Sequence, residues 1–266
     1  MRQLTSTCGS LLWTLCWLAA VPQAQAPQPA PAASVRPWVG HEAQIETHLK
    51  SAAIVRLEEI GTGVTRPRRA YLNPSLPAES LVWKMLPPGQ RGGHWESYKS
   101  EIAAYELDKL LDMRMIPPAV ERRIDNEAGA AVMWLEGIRS VKQMGGKVPS
   151  GEVWGRPLRK MLLFDNLIGN PDRNAGNILV GPPGELILID HSRAFLASRD
   201  LPNKVERVDA VLWERILTLT REELAGALGP WIDDRAIDAI LERRTRMVAT
   251  VDRLVKSKGR ALVIVR

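Results

Sequence analysis

The stretch GNPDRNAGNILVGPPGELILID, Gly169 to Asp190, constrains the fold more than any other part of the chain. ILV and LILID are short apolar runs joined by the turn sequence GPPGE, so they read as the two strands of a small hairpin. The segment before them, RPLRKMLLFDNLIGN, carries a helical pattern with Pro157 near its start. The loop between helix and hairpin therefore holds Asp172 and Asn177, five residues apart, and the hairpin ends on Asp190. Two carboxylates and an amide oxygen in this order suit a hard divalent cation and a group that orients a hydroxyl. DRN alone reads first as a turn with a salt-bridged Asp, and LILID alone as an ordinary strand end. The three residues in sequence, flanked by helix and hairpin, reverse that preference.

The first half supplies complementary groups. AAIVRLEEIG, AYLN and LVWKML are short β-type runs separated by Gly and Pro, as in a small antiparallel sheet. Lys84 lies within LVWKML. A mid-strand lysine ordinarily faces solvent, yet strand, lysine, then helix is the arrangement that brings an ammonium to nucleotide phosphates. The helix is ESYKSEIAAYELDKLLD, with Tyr98, Ile102, Tyr105 and Leu110 at near-helical spacing, stopped by Pro117 and Pro118. Glu101 shares the face of the two tyrosines and is the candidate partner of Lys84. Glu96 and Glu106 are the competitors, expected in solvent. Pro118 to Ile124 and Gly129 to Leu135 read as two further strands.

Gly61, Gly63 and Val64 lie in a turn between two predicted strands. Such a turn lets backbone N–H groups approach phosphates, although hairpin turns use Gly for their own geometry. MWLEG, Met133 to Gly137, lies between the halves. Either it is a hinge whose backbone around Leu135 pairs with adenine, or it is a plain strand end. Further on, Thr220 and Glu223 form a capping box, and Asp233 can cap a long helix ended by Gly259. A β-rich half with one helix followed by a mainly helical half predicts an α+β protein of two lobes with a cleft between them.

Residues Ser100 to Ile124, then LIGNPDRNAGNILV and LILIDHSRAF, resemble the secretory-pathway kinase family that includes the Golgi casein kinase and the proteoglycan xylose kinase. The likeness runs from about Ala52 to Phe195. More distantly, the chain is similar to phosphatidylinositol kinases and HipA-type kinases. The resemblance implies a protein-kinase-like fold that uses ATP with Mg²⁺ or Mn²⁺. It implies Lys84 as the phosphate lysine, Glu101 as the helix glutamate, Asp172 as the catalytic aspartate and Asp190 as a metal ligand. Asn177 follows the more general kinase spacing as the second metal ligand. Asn174 stands where the secretory kinases commonly carry His, and the cysteines that those proteins pair are absent. The acceptor expected is a hydroxyl of protein Ser or Thr, or of a sugar. A pseudokinase that binds nucleotide without turnover is the main alternative, and a small-molecule kinase the second.

The chain begins with Arg2, a short apolar run from Leu11 to Val21, and the small-residue site AQA at Ala24 to Ala26. This is the layout of a secretory signal peptide cleaved after Ala26, shorter than the ~20 residues of a membrane span. The location expected is secreted or periplasmic, with membrane contact only through an uncleaved leader. Both cysteines, Cys8 and Cys16, fall inside the leader, so a mature chain has neither disulfide nor thiolate metal site. The organisation expected is a leader over 1–26, a linker and entry segment over 27–50 that is Pro- and Ala-rich to Pro37, and lobes over 51–137 and 138–266. The net charge of +6 is interspersed, without a basic stripe interleaved with aromatics, so nucleic acid is not the expected ligand. His191, beside Asp190, is placed to contact phosphate or metal, but local packing or hydrogen bonding is the preferred expectation.

Overall fold

The computed structural model describes residues 36–61, 67–73, 78–182 and 184–266. The leader, the Pro- and Ala-rich linker to 35, and the turn residues Gly63 and Val64 lie outside the described residues.

The first lobe is built on five antiparallel strands. They are β1 (Ile54–Glu59), β2 (Arg68–Leu72), β3 (Ser80–Lys84), β6 (Ala119–Ile124) and β7 (Glu127–Met133), in the order β1-β2-β3-β7-β6. A hairpin of β4 (Gly89–Arg91) and β5 (His94–Glu96) leads from β3 into helix α2 (Tyr98–Leu110). The β6–β7 turn places Asp125 and Asn126 at φ 51° and 64°. These are residue types that tolerate the left-handed backbone of a tight hairpin. Ser97 starts α2 by accepting the Lys99 N–H at 3.1 Å. The left-handed Asp112 and Arg114 and then Pro117 and Pro118 end it.

Side chains alternate across the sheet. Ala119, Ala130 and Val132 pack against α2 in one cluster, while Leu81, Trp83, Val120, Ala131 and Met133 join Trp38, Ile45 and Leu49 in another. The last two belong to α1 (Glu42–Ser51). This helix falls within the stretch read as linker and entry segment, which is therefore part of the folded unit from Arg36 on. Lys84 pairs with Ala130, so its side chain shares the α2 face.

The second lobe begins with β8 (Arg139–Ser140) and α3 (Glu152–Ile168), followed by the hairpin β9 (Ile178–Val180) and β10 (Leu186–Leu188). Helices α4 (Ala210–Thr218), α5 (Arg221–Leu228), α6 (Asp234–Lys258) and α7 (Arg260–Val263) complete it. A short parallel pair, β11 (Val208–Asp209) with β12 (Ile264–Val265), joins the segment that leads into α4 to the one that follows α7. The capping box of Thr220 and Glu223 and the Asp233 cap on the Ala236 N–H are both formed. Helix α3 begins earlier than its sequence pattern indicates, so Pro157 sits in its second turn. Gly169 ends α3 at φ 63°, and a Cβ there would lie 2.9 Å from the Arg243 guanidinium, so glycine is required both by backbone and by space. Arg243, fully buried on α6, donates to the carbonyls of Leu167, Leu196 and Ser198 and so ties the helix end to the segment after Phe195. Among the described residues no helix is long and apolar enough to cross a membrane.

Asp108, on the buried face of α2, accepts the Met115 N–H at 3.0 Å. Burial outweighs that hydrogen bond and the charge of Arg36, and lifts its carboxyl to about 7. The folded state then binds this proton more tightly than the unfolded chain, whose aspartates titrate near ~3.9. This group's contribution therefore favours folding most below pH ~4 and declines as pH rises to about 7. Asp108→Asn keeps an acceptor for Met115, and Arg36 retains Glu185 at 4.0 Å. The variant is expected to flatten the pH dependence of urea stability across that window and to gain on the order of 1–3 kcal/mol at pH 8.

Candidate active site

Strand β3 ends on Lys84, and its ammonium lies between two carboxylates. Nζ donates to Glu101 Oε1 at 2.6 Å and to Asp190 Oδ1 at 3.0 Å. The expected pair of strand lysine and helix glutamate is thus formed. Burial by itself would lower the Lys84 pKa. The charges of Asp190 and Glu101 outweigh it and hold the ammonium above its usual range. Burial would likewise raise Glu101, but the Lys84 charge and the hydrogen bonds from His191 hold it well below the usual carboxylate range. Both groups are charged at neutral pH, as a nearly buried ion pair must be to persist.

Glu96, expected in solvent, is buried. It ends β5 and its Oε1 accepts from Arg193 Nε at 2.8 Å. Within β5 His94 and Trp95 are exposed, and Glu96, opposite Gly89 of β4, is the buried residue. Glu106 is partly exposed and pairs with Lys109 at 3.0 Å.

The loop after α3 is shaped by its own side chains. Asn170 Oδ1 accepts the Asp172 N–H, Asn174 Oδ1 accepts the Gly176 N–H, and Asn177 Nδ2 donates to the Asp172 carbonyl at 2.9 Å. Beneath it lies an arginine that the sequence reading passed over. Arg173 forms a fork on Asp165, Nε to Oδ2 and Nη2 to Oδ1, both at 2.9 Å. Its Nη1 donates to the carbonyls of Asn177 and Ile189, each at 2.8 Å. One buried guanidinium thus binds the end of α3, the loop and the end of the hairpin together. Its Nη2 also lies 2.8 Å from His191 Nε2. Arginine can only donate, so His191 Nε2 accepts and the proton sits on Nδ1, facing Glu101. Burial and then the Arg173 charge lower the His191 pKa and keep the ring neutral. The local role expected of His191 is the one observed: its backbone N–H donates to Glu101 Oε2 at 3.0 Å, and its ring meets Phe164 edge-on.

Asp172 projects from this loop about one-third exposed, with Oδ2 3.4 Å from Arg193 Nη1. Asp190 follows β10 in the left-handed region at φ 59°, and Ser192 Oγ also reaches its Oδ1. The Ile189 N–H donates to the Asn177 carbonyl at 3.2 Å, which sets Asn177 and Asp190 near the same end of the hairpin. Among the described residues no three His, Cys, Asp or Glu side chains converge as a self-sufficient metal site. One carboxylate with one amide oxygen is instead a partial set of hard donors. It fits a divalent cation that takes its remaining ligands from water and phosphate.

Met133 is the last residue of β7, the Trp134 N–H still donates to Ser80 O at 3.0 Å, and the following residues lead to β8, so the MWLEG segment is at once a strand end and the connection between the lobes. Leu135 is half-buried there against the first-lobe cluster, with Leu179 and Ile189 of the hairpin packed on the same cluster. Arg69 stacks on Tyr71 and Trp134, at 4.4 and 4.6 Å from the ring centroids, and pairs with Glu136 beside the crossing. The Ile60 N–H donates to Pro67 O and closes the base of the β1–β2 turn. Gly61 follows, and a Cβ there would meet nothing within 4 Å. Its place in the turn is as expected, but space does not demand a glycine.

No protein-family model and no curated protein sequence matches the chain. Solved structures do. A hydra Fam20 structure with sugar superposes with a TM-score of 0.69 at 17% identity, over 88% of this chain and 95% of that one. The Golgi casein kinase with Mn and ADP bound gives 0.66 at 14% identity, over 85% and 79%. The proinflammatory kinase CtkA of Helicobacter pylori gives 0.51 at 12%, over 79% and 98%. The chain therefore has the kinase-like fold that its sequence leads one to expect, with an antiparallel first lobe and a mainly helical second.

Proposed function

We propose that this protein is an ATP-dependent kinase that transfers the γ-phosphoryl group to a hydroxyl of a protein Ser or Thr, or of a sugar. The observation that carries the reading is the Lys84 ammonium held between Glu101 and Asp190, with the loop bearing Asp172 and Asn177 tied to the hairpin end just before Asp190 by the Ile189 N–H on the Asn177 carbonyl. Lys84 binds nucleotide phosphates, with Glu101 fixing its position. The glycine turn that begins at Gly61 and includes Gly63 and Val64 in sequence is the candidate for phosphate contact, and the backbone around Leu135 the candidate for adenine contact. Asn177 and Asp190 would hold Mg²⁺ or Mn²⁺, which when bound supplies neutralisation of phosphate charge. Asp172 accepts the proton of the attacking hydroxyl. The bound Mn and ADP in the Golgi casein kinase structure support this choice of cofactors. The apolar leader ending in AQA supports an exported location, secreted or periplasmic. Incubation with γ-labelled ATP, either cation, and panels of protein and sugar acceptors tests the reading. Label on a hydroxyl supports it, while nucleotide binding without any transfer favours the pseudokinase alternative.

A further inference from the structure

Arg193 is held more firmly than an ordinary surface arginine. The first turn of α2 grips the backbone on both sides of it. The Ser97 N–H donates to Ser192 O at 2.9 Å, and Ser100 Oγ donates to Ala194 O at 3.2 Å. Glu96, with its side chain only 4% exposed, fixes the inner edge of the guanidinium through Nε. The outer edge is directed to Asp172, with Nη1 3.4 Å from Oδ2. Arg193 is thus a preorganised fork whose orientation is set by one carboxylate and whose open side meets another.

This placement is hard to explain as a structural ion pair. Glu96 already supplies a buried partner. The arrangement suits catalysis if the cation has a second anion to attend to during the reaction. Phosphoryl transfer supplies one, because negative charge on the moving group must be stabilised by positioned cations and donors.

We propose that Arg193 meets the γ-phosphoryl group as it passes from nucleotide to acceptor, an inference that rests on the kinase reading above. The bond between the γ-phosphorus and the β,γ-bridging oxygen breaks, and ADP leaves with its electron pair. The acceptor oxygen forms the new bond to phosphorus, and its proton passes to Asp172. Arg193 shares its outer N–H groups between Asp172 and the equatorial phosphoryl oxygens, so the carboxylate is released for the proton as the phosphoryl group engages the cation.

The test compares the full chain with Arg193→Met and Arg193→Lys in Mn²⁺, by calorimetry with ADP and with the β,γ-imido analogue of ATP, and by transfer rates. Arg193→Met is expected to bind ADP within about twofold of the intact protein and the analogue roughly tenfold more weakly, with kcat lower by about 10²-fold or more. Arg193→Lys keeps the charge without the fork, and is expected to recover part of the analogue affinity. Should Arg193→Met fail to fold, as read by its melting transition, the lysine variant carries the comparison through a partial, analogue-selective loss. Equal losses for both nucleotides, or none for either with kcat unchanged, overturn the proposal while leaving the kinase reading intact. An intact protein that binds neither nucleotide overturns the kinase reading, and this proposal with it.

Discussion

Asp172→Asn is expected to lower phosphoryl transfer by about 10²–10⁴-fold, the range a positioned general base contributes, while metal-dependent nucleotide binding stays within about twofold. The separation of effects follows from what holds the residue. The Asp172 N–H and carbonyl are engaged by the side chains of Asn170 and Asn177, and neither contact uses the carboxylate. The carboxylate itself meets Asn174 Nδ2 at 3.1 Å and Arg193 at 3.4 Å, both of which have other partners in the loop or in Glu96. An amide of the same shape therefore preserves the loop and removes only the proton acceptor. Initial rates with labelled ATP, paired with calorimetry on the same preparation, measure both quantities. An unchanged rate would remove Asp172 from the chemistry.

Arg173→Leu is expected to cost about 3–5 kcal/mol in urea unfolding, the penalty for breaking a buried pair from one side. Asp165 is wholly buried and, among the described residues, would be left with Asn170 Nδ2 as its one side-chain donor. The carbonyls of Asn177 and Ile189 would each lose the Nη1 donor, and His191 Nε2 its partner. These groups hold the loop and the hairpin end together, so transfer is expected to fall with stability. Replacing Asp165 as well, in Asp165→Leu with Arg173→Leu, removes the orphaned carboxylate and is expected to recover part of the stability but not the activity. A single variant as stable as the intact protein would show that the guanidinium is not the anchor described.

The legible parts of this protein were those whose signals are local. Capping pairs, the helical spacing around Glu101 and the hairpin ending at Asp190 each lie within a few residues, and each is formed. Lys84 and Glu101 could be matched because strand and helix adjoin in sequence. The partnership of Glu96 with Arg193 spans 97 residues, and no local pattern signals it. Burial of Glu96 depends on which way β5 faces, and a three-residue strand is too short to reveal its alternation. Arg173 was overlooked for a different reason. DRN draws attention to its acidic residue and its amide, whereas the arginine acts downward into the fold, on Asp165 within a helix otherwise read for its apolar spacing. Helix α1 was hidden by its neighbours. Glu42–Ser51 follows a Pro- and Ala-rich stretch and buries only Ile45, His48 and Leu49, a narrow stripe beside many polar residues.

The central claim is that Lys84, Asn177 and Asp190 form a nucleotide site that requires a divalent cation. Titration of ATP into the intact protein, with Mg²⁺, with Mn²⁺ and with neither, tests it most directly when repeated on Asp190→Asn. That substitution removes one cation ligand charge and one of the two carboxylates beside Lys84, while the Glu101 contact at 2.6 Å remains. The expected result is binding by the intact protein that depends on the cation and is at least about tenfold weaker in Asp190→Asn. Absence of nucleotide binding by the intact protein with either cation, or cation-dependent binding undiminished in Asp190→Asn, would contradict the account.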